Sequence, residues 1–155
     1  MAKVVSFSNQ KGGVGKTTSC VNISAQIANK GKKVLMIDMD PQGNATSGLG
    51  LQKSKIKNTT YDVIIGRCDI SEAIIKTRFK NLSVVPANIE LAGAEIELQE
   101  LDENLNFTKI ALDSIKDDYD YIFIDCPPFP RNAYCKGFIS VRWRCYPYAM
   151  RILLP

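Results

Sequence analysis

Apolar residues first gather in a short run and then spread to helical spacing. Lys3-Val4-Val5-Ser6-Phe7-Ser8 reads as a short strand, and from Thr17 to Asn29 the apolar positions Val21, Ile23, Ala25, Ile27 and Ala28 predict a helix. Gly31, just past Lys30, is placed to stop it. Lys33 to Asp38 reads as a second, buried strand, and Met39 to Leu51, with three Gly and with Asn44 and Thr46, as a loop suited to switching. Tyr61 to Ile65 and Ile70 to Ile75 read as short helices, Leu82 to Pro86 as a strand, and Leu91 to Leu101 as a helix with Ala, Ile and Leu on one face. Asn106 to Ile115 reads as another helix, before the apolar strand Tyr121 to Ile124 that ends at Asp125. Ile65-Gly66 and Ala87-Asn88 mark turns, and no repeat or low-complexity tract interrupts the series. Such alternation predicts the α/β class, with a doubly wound, mostly parallel sheet, flanking helices and ligands at the carboxyl ends of the strands.

The connection between the first strand and the first helix carries the chemistry. Lys11-Gly12-Gly13-Val14-Gly15-Lys16-Thr17-Thr18 fits the phosphate-binding P-loop with one shift, as Lys-Gly-Gly-x-Gly-Lys-Thr, keeping the Gly-Lys-Thr ending and carrying an additional lysine at its front. Repeated glycines let the backbone adopt dihedrals closed to other residues, so successive N–H groups converge on phosphate oxygens. Lys16 supplies positive charge to the β- and γ-phosphates, and the Thr17 hydroxyl is placed to hold Mg²⁺. Strand, glycine loop and helix come in the order that brings phosphate to the positive end of a helix.

Two further motifs follow in order. They are Val34-Leu35-Met36-Ile37-Asp38-Met39-Asp40-Pro41-Gln42-Gly43-Asn44-Ala45-Thr46 and Tyr121-Ile122-Phe123-Ile124-Asp125-Cys126-Pro127-Pro128. Together with the glycine loop they resemble the ParA/Soj chromosome and plasmid partitioning ATPases, P-loop NTPases with a deviant Walker A motif and relatives of MinD. The resemblance runs from the N-terminus to about Pro128. It implies ATP and Mg²⁺ as cofactors, cradled by Lys11, Gly12, Gly13, Val14, Gly15, Lys16, Thr17 and Thr18. It implies that Lys16 contacts the molecule's own nucleotide, that Thr18 adds a phosphate contact, and that Lys11 reaches across an ATP-sandwich dimer to the partner's phosphates. A cation supplied in trans would stabilise charge building on the phosphoryl oxygens. By the same resemblance Lys11, Lys16 and Asp40 are the catalytic residues, Asp40 positioning the attacking water with Asp38 as its neighbour. Thr17 and, through water, Asp125 are the metal-binding residues.

Composition narrows the setting. At 155 residues and 45% apolar, the chain is long enough for one domain with a real core. No apolar run reaches the roughly 18 residues of a membrane span, and Met1 to Phe7 lacks a signal peptide's layout, so the expected location is cytoplasmic, with nucleoid association implied by the family. The five cysteines, Cys20, Cys68, Cys126, Cys135 and Cys145, form no Cys-x-x-Cys pair, and without any His they read as reduced structural thiols.

The net charge of +4 hides an asymmetry. Residues 129–155 hold Arg131, Lys136, Arg142, Arg144 and Arg151 with no acid, a charge of +5, which leaves −1 for residues 1–128. Six of the 13 aromatics lie there too. A basic aromatic tail suits nucleic acid, but a reading-frame change explains it better. Phe129 to Phe138, read one base later with suitably chosen codons, becomes Ser-Leu-Gly-Met-Leu-Thr-Val-Lys-Ala, which resembles the family's text. Cys145 to Leu154 shifted likewise becomes Ala-Ile-Pro-Met-Gln-Cys-Glu-Tyr-Tyr, resembling the family's next strand and the segment after it. The expected organisation is therefore an N-terminal part of a ParA-type ATPase domain, 1–128, followed by an out-of-frame, disordered tail, 129–155. The fold would be incomplete in its C-terminal half, with Val4, Val5 and Phe7 on an open sheet edge.

Three functions are compatible with these observations. The first is a partitioning ATPase that dimerises on ATP, binds DNA without sequence preference and answers to a ParB-type centromere-binding partner. The second is a MinD-like ATPase on a membrane surface, which needs a C-terminal amphipathic helix that the tail does not supply; no membrane partner is expected. The third is a truncated product of a frameshifted gene without catalytic function.

Overall fold

The protein, seen in a computed structural model, is described for residues 1–9, 11–94, 97, 106–128, 143–146 and 151–152. The chain opens with β1 (Lys3–Phe7), α1 (Lys16–Asn29), β2 (Val34–Asp38) and the single-turn helix α2 (Asn44–Gly48). The short helices α3 (Thr60–Ile64) and α4 (Ile70–Ala73) precede β3 (Ile75–Lys76) and β4 (Leu82–Val85). Then come α5 (Asn106–Ile115), β5 (Tyr121–Asp125), β6 (Trp143–Tyr146) and β7 (Arg151–Ile152). The sheet order is β3-β4-β2-β5-β1-β6-β7. Strands β4, β2, β5, β1 and β6 run parallel, and β3 and β7 pair antiparallel at the two margins.

The unbroken apolar run of β2 is explained by its place between β4 and β5, where all five of its residues are buried. Side chains alternate to opposite faces, so neighbouring positions feed different cores. Leu35, Ile37, Ile122 and Ile124 pack on one face with Tyr61, Ile64 and Ile115 of α3 and α5. Val34, Met36, Phe123 and Phe7 pack on the other with Cys20 and Ala28 of α1. Phe7 meets Phe123 edge-on across the β1–β5 pair, with ring centroids 5.9 Å apart. The face that α1 buries is Lys16, Cys20, Ser24 and Ala28, at steps of four, rather than the larger Val21, Ile23 and Ile27. Small side chains there let the helix lie close to the sheet, and the larger ones pack on its flanks.

Several expectations change. Ile75 was predicted helical, but the helix stops at Ala73 and Ile75–Lys76 adds an edge strand to β4. The polar loop 39–51 contains a helical turn, α2, which Gly43 opens at φ 57. The helix expected over Leu91–Leu101 lies mostly outside the described residues, after a 3₁₀ turn at Ile89–Ala92. The tail also departs from a disordered segment at two places. Trp143–Tyr146 lies parallel against β1, in the register Val5↔Trp143 to Phe7↔Cys145, and Arg151–Ile152 pairs with it. The open edge foreseen at Val5 and Phe7 is thus covered. A row of unpaired N–H and C=O groups beside a buried strand favours any segment rich in strand formers that can reach it, and Trp-Arg-Cys-Tyr is one. The rest of the tail lies outside the described residues, as do the side chains of these two strands.

Candidate functional site

Ladder register brings the three motifs together at the carboxyl ends of the central strands. Asp125 is level with Phe7 on one side and Asp38 on the other. Past the strands the alignment continues, since the Cys126 amide donates to Phe7 O at 3.1 Å and the Met39 amide to Asp125 O at 2.9 Å. The glycine loop leaves β1 at this same level and returns as α1.

Within that loop Gly13 and Gly15 have φ of +71° and +82°, conformations that other residues rarely adopt. A Cβ built on Gly12, Gly13 or Gly15 would meet nothing within 4 Å, so the space beside these glycines is open. Gly15 caps α1 without a side-chain hydrogen bond, leaving first-turn amides directed into the loop. The Lys16 side chain folds back over it, with only 6% of the residue exposed and Nζ 3.4 Å from Lys11 O. Lys11 is exposed, and its amide donates to Asn9 Oδ1 at 3.0 Å.

The three carboxylates have distinct environments. Asp125 is 0% exposed, and neither side-chain oxygen has a hydrogen-bond partner. Burial pushes its pKa from 3.8 up to about 7; the nearby Thr17 hydroxyl opposes the rise without closing a hydrogen bond, Asp38 and Asp40 add to it, and Lys16 counters it. A buried carboxylate left unmatched beside a threonine hydroxyl fits a hydrated divalent cation, which would supply the missing positive charge. Asp38 is also fully buried but well bonded: Oδ2 accepts from the Thr46 amide at 2.9 Å and the Thr46 hydroxyl at 2.7 Å, and Oδ1 accepts from the Asp40 amide at 3.1 Å. Burial raises its pKa to about 6 in spite of those bonds. Asp40 is half-buried, and its Oδ1 accepts from the Gln42 amide at 2.9 Å.

Between these groups lies a cavity of about 550 Å³, a size that suits a small-molecule ligand. Gly13, Gly15, Lys16, Thr17, Thr18 and Asp40 line it, so the structure gathers most of the predicted residues around one space. Asp125, close to Thr17, is outside the lining, as are Lys11, Gly12 and Val14. Sequence reasoning missed Asn22, Asn44 and Pro128 on the wall. Asn22 was legible in principle, being one helical turn after Thr18, to whose carbonyl it donates at 2.8 Å. Thr46 was missed entirely. Cys20, Cys68 and Cys126 are not joined in disulfides. No helix among the described residues is long and apolar enough to cross a membrane.

A parallel α/β sheet with a glycine loop between β1 and α1 and a buried acid at the end of the adjacent strand defines a P-loop nucleotide-binding domain. The sequence profile of the AAA domain family matches residues 2–140, and the chain belongs to that family, where it is similar to the ParA/Soj-type proteins. It is 51% identical over 128 residues to the sporulation initiation inhibitor protein Soj of Bacillus subtilis, covering 83% of this chain and 51% of that one. It is 44% identical to the chromosome partitioning protein ParA of Myxococcus xanthus, covering 83% of this chain and 45% of the relative. The chain thus spans about half the length of these relatives. Among solved structures, cobyrinic acid a,c-diamide synthase of Mycobacterium smegmatis, with bound ADP and magnesium, superposes with a TM-score of 0.88 at 35% identity, over 95% of this chain and 60% of that one.

Proposed function

We propose that this chain is the nucleotide-handling part of a partitioning ATPase that acts in the cytoplasm on chromosome or plasmid segregation. The observation that carries the reading is the buried Asp125 carboxylate, whose oxygens have no hydrogen-bond partner, near Thr17, a residue that lines one cavity with Lys16 and the glycines Gly13 and Gly15. The names of the relatives, and the ADP and ATP analogue bound with magnesium in the cobyrinic acid a,c-diamide synthase structures, support the same substrate and metal.

In this reading the amides from Gly12 to Thr18 hold the phosphates of ATP and Lys16 places its charge on their β- and γ-oxygens. Mg²⁺, when bound, neutralises charge on those oxygens. Thr17 would hold it directly and Asp125 through water. Asp40, at the cavity wall, orients the attacking water, and the exposed Lys11 serves the partner's nucleotide in an ATP-sandwich dimer. Non-specific DNA and a ParB-type protein are the partners of that dimer, with no membrane involved. Hydrolysis of ATP by the purified chain, absent in Lys16→Ala, tests the enzyme; wild-type turnover no greater than that of the variant would refute it. Salt-sensitive DNA binding that requires ATP tests the partitioning role, and DNA binding indifferent to nucleotide would contradict it.

A second reading rests on the two family-like runs recovered in one shifted frame after Pro128. In it residues 129–155 are out of register, and the chain retains at most a phosphate site. Sequencing the gene across codons 128 and 129 decides this, since an intact frame with unrelated bases would end it.

A further inference from the structure

The segment between β2 and α2 is tied down by a relay of buried hydrogen bonds. Thr46 stands at its centre and is 0% exposed. Its hydroxyl donates to Asp38 Oδ2 at 2.7 Å and accepts from the Ala87 amide at 3.0 Å, while its own amide donates to Asp38 Oδ2 at 2.9 Å. The other oxygen of Asp38 accepts from the Asp40 amide at 3.1 Å. A continuous path therefore joins the chain just beyond β4 to the backbone of Asp40. Gly43 closes the same segment from above: a Cβ there would lie 2.6 Å from Ala87 O, so the backbones are already in close contact.

A threonine hydroxyl is donor and acceptor at once, and this one uses both capacities. Valine has the same shape and neither capacity. It would leave the buried Ala87 amide without its partner and Asp38 Oδ2 with a single donor. Asp40 would keep its Gln42 contact and its amide's bond to Asp38, but on a carboxylate held at Oδ2 by one donor instead of two.

We propose that Thr46 is a positioning residue, holding Asp40 through Asp38 in the orientation that directs its carboxylate to the cavity. This rests on the reading of Asp40 as the group that orients the attacking water. Misplacing such a group by about 1 Å costs on the order of a hundredfold in rate while leaving substrate binding in place.

The test uses the full chain with Thr46→Val and Thr46→Ser, read by backbone amide exchange at Asp40 and Ala87 and by steady-state ATP turnover. Thr46→Val is expected to speed exchange at both amides at least about tenfold and to lower kcat about ten- to a hundredfold, with KM for ATP changed less than about twofold. Thr46→Ser, which keeps both bonds, should restore slow exchange and most of the turnover. The proposal is overturned if Thr46→Val leaves exchange at Asp40 or kcat unchanged, or if serine fails to restore them. It is equally overturned if the valine variant does not fold while the serine variant does, which would assign Thr46 to the fold alone. A wild-type chain without turnover would sink the reading of the site instead, and the exchange measurement would still decide whether Thr46 holds Asp40.

Discussion

Asp125→Asn removes a charge from a carboxyl group that is 0% exposed and has no hydrogen-bond partner on either oxygen. Its pKa rises from 3.8 to about 7 on folding, mainly through burial. At 1.36 kcal/mol per tenfold change in proton affinity, the ionised form costs the fold about 4 kcal/mol at pH 8. The sign follows from the direction of the shift. A carboxyl whose pKa is raised on folding contributes stability at low pH that is lost as pH climbs from 3.8 through about 7. Asparagine escapes that loss but buries an unpaired amide, at roughly 1–3 kcal/mol. The variant should therefore be more stable than wild type by about 1–3 kcal/mol at pH 8, raising Tm by about 2–4 °C per kcal/mol. Its advantage should shrink by about 3 kcal/mol toward pH 4.5, where both forms of the protein are neutral at this position when folded. Urea unfolding at both pH values, without Mg²⁺ or nucleotide, measures it. The same variant should lose Mg²⁺-dependent turnover. A stability difference independent of pH, or a variant weaker than wild type at pH 8, would refute the assignment of an uncompensated buried charge.

Other substitutions probe the neighbouring parts. Gly43→Ala places a side chain at φ 57 and within 2.6 Å of Ala87 O and 2.7 Å of Lys53 Cε; the left-handed backbone alone costs about 1–2 kcal/mol, so the urea midpoint should fall and turnover with it, and an unchanged midpoint would show that the loop yields freely. Lys11→Ala should bind nucleotide within a few-fold of wild type yet not hydrolyse it, because its side chain lies outside the cavity lining; weakened binding by the monomer would contradict a role in trans. Thr17→Val should make nucleotide binding insensitive to Mg²⁺ in a titration of metal at fixed nucleotide, and an unaltered metal dependence would remove Thr17 from the metal site.

The legible parts of this chain were those whose pattern is local. Val34 to Ile37 and Tyr121 to Ile124 are unbroken apolar runs because their strands have neighbours on both sides, and the glycine loop announces itself by spacing. Where structure depends on distant partners the sequence is silent. Thr46 looks like one of several loop threonines until the fold brings Ala87, 41 residues away, onto its hydroxyl. Ile75 looks like the last turn of α4 until β4 offers it a ladder position opposite Val84. Trp143 to Tyr146 carried no predicted strand because its register is set by the vacant side of β1, not by its own alternation. For the site, the cradle and its acids were evident by type, whereas Asn22 and Asn44 owe their place to packing beside the loop.

Equilibrium binding of labelled ATP, with and without Mg²⁺, to the folded chain and to Lys16→Ala tests the central claim most directly. Metal-dependent uptake at one site per chain, lost in the variant, is the predicted result. A folded wild-type chain that takes up no nucleotide in the presence of Mg²⁺, or binds it as well without Lys16, would contradict the account.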